Sequence, residues 1–144
     1  MAGKSDTFEN DILKLIFNAT AIANIADNAA SAPLTDLYVA LHTADPTDTG
    51  VQNASEATYT SYARVAVART TGGWTASTVG STSPVAAITF PAATGGSSAV
   101  THFSIGVASS GATKVLYAGT VSPTITVTDG ITPQLTTSTT ITED

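Results

Sequence analysis

The chain contains no cysteine. Disulfides, thiolate metal sites and thiol catalysis are therefore all excluded, and the redox compartment cannot be read from the sequence. Charge is also scarce, at 11% of positions against 42% hydrophobic, and the polar remainder is dominated by Thr, Ser and Gly. So weakly charged a surface has little of the repulsion that keeps monomers apart, which favours a protein that ends up against neighbours. Only five residues are basic, the net charge is −6 and the pI is near 4.5. Scattered Lys and Arg on an acidic chain argue against nucleic acid as a partner, since duplex binding needs clustered cations on the phosphates. No apolar run approaches the roughly 20 residues of a membrane-spanning helix, so no membrane partner is expected. The polar, acidic stretch Met1 to Asn10 predicts no secretory signal.

What is present fits one ordinary domain. At 144 residues a chain can bury roughly 70% of the surface that its unfolded form exposes, so one core suffices without covalent staples. The division expected is residues 1–35 as an N-terminal helix and linker and 36–144 as a single β-sandwich. Asp6 to Phe17 carry the clear helical pattern, with Phe8, Ile12, Leu15, Ile16 and Ala19 recurring at steps of three and four. Asp6 is the expected cap, with Glu9 reaching back to complete a capping box. Asn18 to Pro33, rich in Ala and Asn, reads as a weak helical turn and then loop.

From Asp36 the period changes to two. Leu37, Val39 and Leu41 alternate with Tyr38, Ala40 and His42, which predicts a strand over Asp36 to Thr43. A long turn-rich stretch, Ala44 to Thr58, follows; long ordered loops are often functional. Further β-favouring runs are Ala63–Arg69, Trp74–Thr78, Val85–Phe90, Thr101–Val107, Lys114–Val121, Ile125–Val127 and Gln134–Ile141. Most are bounded by Gly, Pro or Ser. Short strands with turn signals every eight to twelve residues indicate a mainly β, antiparallel, jelly-roll-like sandwich with a short helix against it.

Chemistry is thinly represented. The nucleophile elbow, the phosphate loop and the zinc helix are all absent. Only His42 and His102 could act as bases near neutral pH, and both fall within predicted strands among apolar neighbours, where a sheet residue is the simpler reading. The best enzyme case joins one of them to Ser104 and an Asp of the 45–48 loop. Asp45 and Asp48 offer two carboxylates for a hard cation, yet a solvated turn accounts for them with fewer assumptions. No catalytic residue, metal site or cofactor is expected. Tyr59, Tyr62, Arg64 and Trp74 are of the types that dominate protein interfaces; Trp74, after Gly72-Gly73, could equally plug an end of the sandwich. With Phe8, Ile12, Asp45 and Asp48 they make up the candidate interface set.

In order along the chain, the helix Phe8–Phe17, the block Leu37-Tyr38-Val39-Ala40-Leu41-His42-Thr43-Ala44-Asp45-Pro46 and Tyr62-Ala63-Arg64 are followed by three more blocks. These are Ala87-Ile88-Thr89-Phe90-Pro91-Ala92-Ala93, Val100-Thr101-His102-Phe103-Ser104-Ile105 and Val115-Leu116-Tyr117-Ala118-Gly119. Together they resemble a family of small tailed-bacteriophage virion proteins, often labelled tail fibre proteins and including capsid cement proteins. The resemblance implies a jelly-roll-like sandwich with a structural, non-enzymatic role. The stretch Ala21–Pro33 is longer than that family's usual link to its first strand. The leading expectation is a cement protein on the outer capsid surface, made in the host cytoplasm and bridging major capsid protein subunits, with copies of itself as dimer or trimer. A tail fibre or minor tail component is the alternative, and a carbohydrate-binding sandwich the second.

Overall fold

The computed structural model describes residues 4–29, 32–47 and 50–143. The chain is mainly β with one short helix, and its strand pairs are antiparallel, the β-sandwich-like class expected from the sequence. It gathers into two compact units, each assembled from separate pieces of sequence. Unit 1 holds 1–36, 67–87 and 136–144, and unit 2 holds 37–66 and 88–135. The 67–87 segment and the C-terminal tail thus fall in the same unit as the helix.

In unit 1, helix α1 spans Asp6–Asn18. Its cap is Ser5 rather than Asp6. Ser5 has an extended backbone and its hydroxyl accepts the Phe8 amide at 3.4 Å, so Asp6 becomes the first helical residue, where a carboxylate still favours the positive end of the helix. The buried side chains are Leu13 and Phe17, joined by Asn10, which accepts hydrogen bonds from the Ser77 hydroxyl and the Gly80 amide. The apolar row read from the sequence, starting at Phe8, is therefore not the most deeply buried one. Phe17 meets Trp74 edge to face, with ring centroids 4.9 Å apart. The predicted strand at Trp74 is reduced to a bridge with Pro84. A two-stranded ribbon of β3 (Ser81–Thr82) and β8 (Ile141–Thr142) completes the unit.

Unit 2 is built on β1 (Asp36–His42, whose first residue is the last of unit 1's segment), β5 (Ser98–Gly106) and β6 (Val115–Val127). With β2 (Val65–Ala68), within which the division of the chain falls, they form a four-stranded sheet in the order β2-β1-β5-β6. Register places Val39 opposite Ile105 and Leu41 opposite Phe103, so the alternation read from the sequence becomes one apolar face, buried together with Leu37. Gly119 is opposite Phe103, and a Cβ there would come 2.8 Å from the ring; the missing side chain makes room for the phenyl group. The two runs predicted at 114–121 and 125–127 are one strand, because β6 continues past Pro123 by bulging. His102 pairs with Thr120 and Val100 with Ile125, leaving 121–124 outside the ladder, where a residue without an N–H is tolerated. A ribbon of β4 (Ile88–Thr89) and β7 (Gln134–Leu135) belongs to the same unit.

Candidate functional site: buried polar clusters and exposed apolar positions

The second face of the β1–β5 pair carries Ala40, His42, His102, Ser104 and Gly106. Much of the turn-rich stretch after β1 folds back over it. The Val51 and Glu56 backbones bridge to Lys114 and His42, and the Gln52 side chain donates to the Tyr38 carbonyl at 2.7 Å. Gln52 lies so close over Gly106 that a Cβ there would run into its carboxamide. The length of this loop is therefore used for covering the sheet.

Arg64 is the centre of that cover. Its Nε and Nη2 donate to the two carboxylate oxygens of Glu56 at 2.7 and 2.9 Å, a forked pair that lysine cannot form. Nη1 donates to Gln52 Oε1, the Ala108 carbonyl and Thr113 Oγ1, and Nη2 to the Gly111 carbonyl. One guanidinium thus ties the 52–56 and 108–113 segments to the start of β2. The Tyr62 hydroxyl accepts the Leu41 amide and donates to Glu56 Oε1 at 2.8 Å. Burial pushes its ionisation far above the ordinary phenol range. Tyr59 is also buried, is shifted upward for the same reason and donates to the Pro91 carbonyl.

His42 and Ser104 do meet, as the enzyme case required. His42 lies opposite His102, so Ser104, two residues farther along β5, is its diagonal neighbour. The Nε2–Oγ distance is 2.7 Å and Nδ1 is 2.9 Å from the Ala54 carbonyl. That carbonyl can only accept, so Nδ1 carries the proton and Nε2 accepts from the serine. Burial lowers the His42 pKa from 6.5, which keeps the ring neutral. Nucleophile and base are thus in contact, but both residues are 0% exposed and the orienting group is a backbone carbonyl. A substrate has no approach to them, and the pair acts as a satisfied polar plug.

The proposed interface residues separate by burial. Trp74, Tyr59 and Arg64 are buried and spend their contact area inside the chain, and Tyr62 is half-buried. Tyr59 and Tyr62 belong to unit 2 and Trp74 to unit 1; Tyr59 and Trp74 form no exposed platform on which a sugar could stack. Phe8 is 41% exposed and Ile12 half-buried on α1. Asp45 is exposed, and its carboxylate accepts the Thr47 amide at 2.8 Å, the pattern of a solvated turn. Asp48 lies outside the described residues. Beside Asp45 an open cavity of about 430 Å³ is lined by His102 and residues 115–120 of β6. Among the described residues no three of His, Asp and Glu gather as a metal-ligand set. Sequence reasoning missed Gln52 and Glu56, because no local spacing links either to Arg64.

Residues 3–142 match a protein family described as podophage GP4 fiber I protein gp80. The chain belongs to this gp80 fibre family. No curated protein matches it. Membership over nearly the full length agrees with the resemblance drawn from the ordered sequence blocks and makes the chain a structural protein of a phage virion. In this gp80-family chain the His42–Ser104 contact is sealed inside the sheet cover.

Proposed function

We propose that this gp80-family chain is a non-enzymatic, fibre-type virion subunit that works by passive docking of its surface on other particle proteins. The observation that carries this reading is the fibre-family match over residues 3–142, together with the burial of Arg64, His42 and Ser104, which commits these three groups to the fold. A protein that binds only the assembled particle stabilises it by mass action, and repeated copies add avidity.

A second reading places the same chain on the capsid exterior as a cement protein bridging major capsid protein subunits. It is favoured by the lengths of the elements: among the described residues, helix and strand reach 13 residues at most, and the sequence has no internal repeat from which a fibre shaft would grow. Purified heads lacking tails separate the two. A fibre subunit is lost with the tails, whereas retention of the protein on tail-less heads at a ratio near one per major capsid subunit contradicts the fibre placement and establishes the cement role.

A further inference from the structure

We infer that the outward row of α1, Phe8, Ile12 and Leu15, is a docking surface for a protein partner that offers an apolar groove rimmed by Lys or Arg. At 3.6 residues per turn, this row lies about half a turn from the row of Asn10, Leu13 and Phe17, of which Leu13 and Phe17 are buried. The helix is therefore apolar on two opposite sides, and the Phe8 side is only partly covered by the fold. Phe8 is 41% exposed, and Ile12 and Leu15 are half-buried.

Further exposed apolar residues flank the helix at both ends. At the N-terminal end the 79–80 turn lies on the Glu9 and Asn10 side of the helix, as the Gly80 amide donates to Asn10; Val79 in that turn is 80% exposed and adds apolar surface to the same unit. At the other end the Arg69 guanidinium holds the carbonyls of Leu15, Ile16 and Leu34 together, which brings Leu34, 40% exposed, beside the end of the row. Of the seven large apolar residues that remain exposed among the described residues, five fall in unit 1. Exposed apolar surface concentrated in this way marks an interaction site.

Charge decides the occupant. Unit 1 carries seven carboxylates against three cations. Arg69 is committed to backbone carbonyls, Lys4 pairs with Glu143 at 3.2 Å, and Lys14 lies on α1 one turn after Asp11, so that the unit keeps an excess of four carboxylates. The row itself runs between Glu9 on one flank and Asp11 on the other. A second copy would bring the same carboxylates to its own, and an anionic lipid surface or nucleic acid would be repelled. A basic-rimmed groove is complementary both to the apolar row and to its flanks, in the helix-in-groove manner.

This inference rests on the chain being a virion subunit, though not on where in the virion it is. The test uses particles of the phage that encodes the chain, grown without its gene, and adds the purified full chain back. The double variant Phe8→Ser, Val79→Ser changes two exposed positions and keeps the thermal midpoint, and its affinity for the particles falls by about tenfold or more, the scale of a lost interface anchor. Asp11→Lys, which leaves the apolar row intact, also weakens binding, and the wild-type affinity falls as salt is raised. Replacing Phe8 with the photo-reactive p-benzoylphenylalanine in assembled particles gives crosslinks to residues flanked by Lys or Arg. Crosslinks into a tail protein would end the cement reading and keep this one. Undiminished binding by the folded double variant, or crosslinks from Phe8 only to a second copy, would overturn it.

Discussion

Arg64 joins three stretches of unit 2 through side-chain and backbone acceptors that cannot rearrange to replace it. Removing one partner of a buried ion pair leaves the other charge and several carbonyls unsatisfied, at a cost of roughly 3–5 kcal/mol. Arg64→Ala should therefore lower unfolding stability by about that amount in urea titrations. Arg64→Lys should recover only part of the loss, because an ammonium cannot fork across both Glu56 oxygens. His42 gives a pH signature. Its folded pKa lies below the unfolded value of 6.5, so the unfolded chain binds a proton that the native ring resists. Stability is therefore undiminished by this group above pH 6.5 and falls as pH drops through and below that value. Urea midpoints taken between pH 7.5 and 5 should show the decline, and His42→Gln, though less stable throughout, should show a shallower one.

At the scale of elements, α1 has no basic residue in its last turn, where a cation would answer the exposed carbonyls. Arg69, more than fifty residues away in sequence, supplies it. The amides of Ala19 and Thr20 turn back to the Lys14 carbonyl, and Arg69 takes the carbonyls of Leu15 and Ile16 at 2.8 and 2.7 Å. The same guanidinium reaches Leu34 and Asn28, so it also fastens the Ala- and Asn-rich linker to the helix. Arg69→Met should lose about 2–4 kcal/mol, and hydrogen exchange should rise first at the C-terminal turn of α1 and around residues 28–34. The existence of α1 and of β1 was legible in the sequence because each keeps one clear period over several residues. The core face of α1 was not legible: both sides of the helix are apolar, and only the packing of Trp74 on Phe17 selects between them. The merging of two predicted runs into β6 was hidden by Pro123, whose bulge resembles a strand end when read locally.

At the scale of the whole chain, alternation and turn chemistry were enough for the β class, since both act between near neighbours in sequence. The two units were not readable, because residues 67–87 and 136–144 join the helix through contacts that no local pattern encodes. The same limit applies to the candidate interface. Residue type alone nominated Arg64, Tyr59 and Trp74, whose rings and guanidinium serve equally well inside a fold. Of the candidate set Phe8 stays exposed and Ile12 half-buried, and Val79 and Leu34, whose exposure no local pattern encodes, are exposed as well. What unites these scales is the proposal of a virion subunit whose Arg64, His42 and Ser104 are buried within the fold and whose exposed apolar positions dock on other proteins of the particle. Quantitative mass spectrometry of gradient-purified virions, with the major capsid protein as internal standard, tests that claim most directly. The account predicts this chain at a fixed ratio that survives repeated banding and high salt washes sufficient to strip adventitious proteins. Its loss from infectious particles during that purification would contradict the account.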